Sequence, residues 1–133
     1  MAHILILSND KDICGMVEFL LNRERNDTVI SASDFQKVQA LAQQQVPDLI
    51  ILESTSHVFQ DQSGFPVYQQ LRTIESLKQV PILFWMVPNP SRVNPEAQQL
   101  GVAGCVAMPS QPQELLEARD VILAGGTYFP PLV

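Results

Sequence analysis

Basic residues are scarce in this chain: eight lysines and arginines stand against fourteen acids, a net charge of −6. Direct nucleic-acid binding needs a Lys/Arg footprint over phosphates, so it is not expected. Docking on an anionic membrane is disfavoured for the same reason. Cysteine is nearly lacking. Cys14 and Cys105 form no CxxC pair and have no histidine cluster near them, so neither a zinc site nor a disulfide framework is suggested. Two free, mostly buried thiols of a cytoplasmic protein are expected instead. No apolar run approaches the roughly 20 residues that span a bilayer. The start, Met1-Ala2-His3-Ile4-Leu5-Ile6-Leu7, lacks the basic stretch and the apolar length of a signal peptide. Glycine is missing from Ser8-Asn9-Asp10-Lys11-Asp12 after that first apolar run, against a phosphate loop for a nucleotide or flavin. No Ser-His-Asp or Cys-His order is evident either, so no catalytic residue and no cofactor are expected.

What is present is 133 residues, 46% hydrophobic, enough for one domain with a real core. Short apolar runs alternate with helical patterns. His3–Leu7 reads as a strand. Asp10 offers an N-cap, and Ile13, Val17, Leu20 and Leu21 fall on one helix face. Thr28-Val29-Ile30 is a second strand. Ser33 and Gln36 have the spacing of a capping box before Phe35, Val38 and Ala42. Leu49-Ile50-Ile51-Leu52 is a continuous apolar strand, followed by Glu53 and a polar loop over 54–64. Val67, Leu71 and Ile74 mark a third helix, and residues 81–86 a fourth strand. Asn94-Pro95 opens a fourth helix with Val93, Ala97 and Leu100 on its inner face. Gly104–Ala107 is a fifth strand. Ser110 and Gln113 cap a last helix through Leu115, Ala118 and Ile122, which Gly125-Gly126 stops. Continuous apolar strands alternating with helices predict an α/β, doubly wound, five-stranded parallel sheet with helices on both faces. Any site then lies at the carboxyl ends of the strands.

The five repeats, the strand Pro47-Asp48-Leu49-Ile50-Ile51-Leu52, the entry Val80-Pro81-Ile82 and the corner Met108-Pro109 resemble the receiver domain of response regulators, over nearly the whole chain. The resemblance implies a flavodoxin-like, CheY-like fold. Residues 1–126 would be the receiver-like domain, and 127–133 a C-terminal tail, docked or opening a linker. The closing Ile122-Leu123-Ala124-Gly125-Gly126-Thr127-Tyr128-Phe129-Pro130-Pro131 is similar to the receiver-to-linker junction of LuxR-type regulators; the helix-turn-helix that would follow is not among these residues.

Working receivers use two acids after the first strand, a third-strand Asp that takes the phosphoryl group, and Mg²⁺ held among them. A Thr or Ser ending strand four and a Lys ending strand five grip the phosphate. An aromatic on strand five reports the switch. Here the acid pair falls on Ser8 and Asn9, the phosphoacceptor on Glu53, the hydroxyl on Met86, the Lys on Met108 and the aromatic on Cys105. Only Pro109 matches. The usual Asp-Gly survives as the separated Asp61 and Gly64. Mg²⁺ wants several hard oxygen ligands, and Glu53 is the one matched carboxylate, so no metal is expected. Glu53 could mimic an acyl phosphate, but without Thr and Lys to grip its charge a structurally satisfied carboxylate is preferred.

The implied function is a non-phosphorylatable pseudo-receiver in phosphorelay-type signalling, working by contact with another signalling protein. A homodimer through the fourth and fifth helices is expected, lined by Val93, Leu100, Val102 and Leu116. One alternative is a small ligand at the altered strand ends, beside Met86 and Met108 or the loop Ser54, Thr55, Ser56 and His57. The other is a small flavodoxin-like enzyme.

Overall fold

Five β/α units build the chain, and the computed structural model describes residues 1–53, 64–88, 90–108 and 110–129. In order they are β1 (His3–Leu7), α1 (Lys11–Arg25), β2 (Thr28–Ala32), α2 (Phe35–Gln44), β3 (Leu49–Glu53), α3 (Gly64–Leu71), a 3₁₀ turn (Glu75–Leu77), β4 (Ile82–Val87), α4 (Pro90–Leu100), β5 (Gly104–Ala107) and α5 (Pro112–Leu123). The sheet is all parallel in the order β2-β1-β3-β4-β5. β1, β3, β4 and β5 are largely buried on both faces, as their apolar runs require, whereas the edge strand β2 leaves Thr28 and Ile30 exposed.

Alternate strand residues feed two cores. Leu5, Leu7, Ile50, Leu52, Ile82 and Phe84 meet α2, α3 and α4 through Val38, Ala42, Val67, Leu71 and Ala97. Ile4, Ile6, Leu49, Ile51, Leu83 and Trp85 meet α1 and α5 through Val17, Leu21, Leu115, Ala118 and Ile122. Burying a side chain of this size is worth about 1.5–3 kcal/mol, so the two faces hold the sheet between helices and leave its strand ends open.

Helix starts depart locally from expectation. Asp34, not Ser33, caps α2, accepting from the Lys37 amide at 2.8 Å. α4 begins at Pro90 and carries Pro95 inside it, rather than starting at Asn94-Pro95. α3 ends at Leu71, and Ile74 lies beyond it. α5 starts after Gln111, whose amide donates to Glu114 Oε1 at 3.2 Å, with Pro112 in the first turn. Its end is as expected: Gly125 takes φ +97°, and the Gly125 and Gly126 amides return to the Ile122 and Val121 carbonyls at 3.0 and 2.9 Å.

Candidate functional site

The β1 strand delivers Ser8 and Asn9 at its carboxyl end. Ser8 is buried; its amide donates to the Ala32 carbonyl at 3.1 Å, and its Oγ accepts from the Asp10 amide at 3.0 Å. Asn9 is exposed. Asp10, the acid nearest the pair, turns toward α1 and accepts from the Asp12 and Ile13 amides at 3.0 and 3.2 Å. It caps the helix, as the sequence indicates. β3 delivers Glu53, 2% exposed and in register with Trp85. Ser54, Thr55, Ser56, His57 and Asp61 lie outside the described residues, as does Pro109.

The end of β4 holds a feature that the sequence does not announce. Trp85 pairs with Val106 and Val87 with Ala107, leaving Met86 as an extra residue in a bulge. Met86 adopts φ +63°, a left-handed conformation uncommon for a side chain of its size. The bulge puts Trp85 and Met86 on the same face, toward α1 and α5, and sends Val87 into the opposite core. The residue in register at the strand end is therefore Val87, with Met86 displaced beside it. Neither has a hydroxyl. Among the described residues a hydroxyl near Met86 is that of Ser110, which accepts from Trp85 Nε1 at 3.2 Å and donates to Met86 Sδ at 3.9 Å. Sequence reasoning assigned Ser110 to a helix cap; its place after the Met108-Pro109 corner was the signal that it borders the site.

From β5 come Cys105, buried, and Met108, 47% exposed. Burial pushes the Cys105 thiol up to about 12. Cys14, half-buried on α1, has its Sγ 3.8 Å from the Ser8 carbonyl. Burial raises its pKa, and the charges of Asp10 and Glu53 add to the rise. Neither cysteine is an activated nucleophile.

The strand ends thus bring Ser8, Asn9, Glu53, Met86 and Met108 to one edge of the sheet, with Cys105 one layer below. They do not make a magnesium site. Ser8 Oγ and the Asp10 carboxylate are engaged with backbone amides, Glu53 is the carboxylate on a strand end, and among the described residues no group of three or more His, Cys, Asp or Glu side chains could share a cation. A cleft of about 480 Å³ opens beside Ser8 and Asn9, lined also by Lys11, Cys14, Ser31 and Lys37. Neither Met86 nor Met108 lines it.

No protein-family model and no curated protein matches the sequence. Solved structures do. A two-component response regulator of the LuxR family from Aurantimonas superposes with a TM-score of 0.80 at 22% identity, over 98% of this chain and 91% of that one. The chemotaxis response regulator CheY4 of Vibrio cholerae matches at 26% identity and a TM-score of 0.73, over 90% and 97%. The receiver domain of a Pseudomonas aeruginosa sensor histidine kinase, with magnesium coordinated in its active-site cleft, matches at 22% and 0.68, over 92% and 93%.

Proposed function

The chain is a response-regulator receiver domain in fold, and from that premise we propose that it signals through contact with another protein, without accepting a phosphoryl group. One observation carries the proposal: Ser8, Asn9, Glu53, Met86 with Val87, and Met108 occupy the strand ends, where phosphoryl transfer needs acids, a hydroxyl and a lysine. At the ends of β4 and β5 an acyl phosphate would meet the side chains of Met86, Val87 and Met108 where a working receiver has its hydroxyl and its lysine. The protein is not an enzyme on this proposal, and it acts in the cytoplasm. No helix among the described residues is long and apolar enough to cross a membrane. Side chains that a protein partner could cover include Met16 and Phe19 on the outer side of α1.

Self-association through α4 and α5 belongs to the same proposal on narrower support. Of the four residues expected to line it, Val102 and Leu116 are buried within the chain, and Leu100 and half-buried Val93 remain. Sedimentation at high micromolar concentration decides it.

A second proposal, a small ligand at the strand ends, has the cleft beside Ser8 and Asn9, with Lys11 and Lys37 at its wall, in its favour. Met108 is exposed and neither it nor Met86 lines the cleft, so Lys11 and Lys37 make an anionic ligand the class that fits. Amide spectra separate the two. Millimolar Mg²⁺, acetyl phosphate or a beryllium fluoride mimic should leave the spectrum unchanged, and Glu53→Asp alone should not create a response. Saturable shifts at Asn9 and Glu53 with Mg²⁺, or uptake of phosphate by the Glu53→Asp variant, would sink the main proposal.

A further inference from the structure

The outer edge of β5 is covered by the chain's own C-terminal segment. After the Gly125-Gly126 turn the backbone runs back parallel to β5, and Tyr128 bridges Gly104. The Tyr128 amide donates to the Ala103 carbonyl, and the Cys105 amide donates to the Tyr128 carbonyl, both at 2.9 Å. Gly104 is what allows this approach: a Cβ there would stand 2.7 Å from the Tyr128 carbonyl oxygen. Tyr128 packs into the core on the α1 and α5 side, and Phe129 into the core on the α2, α3 and α4 side. The alternation is that of a strand, with one aromatic ring on each face.

The hold is nevertheless slight. Among the described residues the bridge at Tyr128 is isolated, both rings are half-buried, and the Tyr128 hydroxyl donates to Glu117 Oε2 at 3.3 Å in an exposed contact. Segments with so few contacts open at a small fraction of the global unfolding free energy. Opening would expose unpaired backbone along a sheet edge, which recruits extended chain.

We infer that the β5 edge is a strand-addition site, specific for an extended segment with two adjacent aromatic residues, and that residues 127–129 fill it in cis as a detachable sixth strand. A partner offering such a segment competes with the tail, which has the advantage of the millimolar effective concentration of a short tether. The inference is independent of whether phosphoryl transfer is lost.

The test uses the full chain. In the unmodified protein the Cys105 and Tyr128 amides should exchange with solvent at least tenfold faster than those of Ile50 and Ile51 in β3, through local opening. In the full-length Tyr128→Ala/Phe129→Ala variant, a synthetic peptide of residues 126–133 should give saturable shifts at Ala103, Gly104 and Cys105. It should bind at least tenfold more tightly there than to the unmodified chain. Adding Gly104→Ala should abolish binding, because the new Cβ occupies the approach path. Protection of Cys105 and Tyr128 equal to that of β3 would overturn the inference, even if the variant failed to fold. So would a folded variant that ignores the peptide.

Discussion

Met86 stands at the point where this chain departs most from a phosphate-binding strand end, and its backbone matters as much as its side chain. At φ +63° a β-branched residue crowds its own backbone. Installing the hydroxyl by Met86→Thr is therefore expected to destabilise the fold by about 1–2 kcal/mol, read from urea denaturation, while restoring no response to beryllium fluoride. A stabilised variant would mean that the bulge relaxes. Cys105 illustrates the cost of burying an ionisable group. An unfolded thiol ionises near about 8.5, whereas burial holds Cys105 neutral up to about 12. The folded-state pKa is raised, so this contribution to stability is complete below the unfolded value and is lost as pH rises toward 12. Denaturation across that window should show stability falling with pH, and Cys105→Ala should flatten the slope while lowering stability at neutral pH. An unchanged slope would contradict the assigned burial effect.

At the scale of elements, α4 is the helix whose sequence and structure agree least. Pro95 sits in its interior, where it can offer no amide to the carbonyl one turn back. Beside it, buried Asn94 keeps an Oδ1 with no hydrogen-bond partner among the described residues. Pro95→Ala is expected to stabilise the protein by about 1–3 kcal/mol, within the range that proline costs inside a helix; thermal unfolding measures it. No gain would mean that packing of Ala97 and Val93 on the sheet sets the path of α4. The cap shifts of α2 and α5 have simpler causes. Ser33 and Asp34 are adjacent cap formers, and local pattern does not choose between them. Ser110 is drawn to Trp85, 25 residues away in sequence, and Gln111 with Glu114 takes its place at the helix start.

At the scale of the molecule, stability and the candidate site sit at opposite ends of the sheet. Asp27, completely buried, precedes β2 at the amino end and accepts from Arg119 Nη2 at 2.6 Å, Arg119 Nε at 2.8 Å and the Ala2 amide at 2.9 Å. Arg119 continues to Asp120, which Arg25 also grips at 2.8 Å. This network ties α1, β1, β2 and α5 together. Asp27→Ala leaves the mostly buried Arg119 with Asp120 as its remaining partner and frees the Ala2 amide, so it is expected to cost about 3 kcal/mol, measured by guanidinium denaturation. A loss below about 1 kcal/mol would show that water reaches the arginine. The amide pattern at Ser8 and Asn9 should change little if the two ends are independent.

The alternation of apolar runs and helical faces determined the strands, their parallel stacking and the exit points of Ser8, Asn9, Glu53 and Met108. Hydrophobic periodicity acts over a few residues, and the inner strands had to bury both faces. Asp10 was legible as a cap for the same local reason. Tertiary structure alone decided the rest. Whether Met86 or Val87 faces Ala107 depends on how β4 and β5 pair. Val102 and Leu116 are buried in the two cores, Val102 on the α2, α3 and α4 side and Leu116 on the α1 and α5 side. Asp27 found Arg119 at a separation of 92 residues, and Tyr128 found the β5 edge after α5 had reversed the chain. These contacts join residues that become neighbours only when the whole sheet has formed, and no local pattern encodes them.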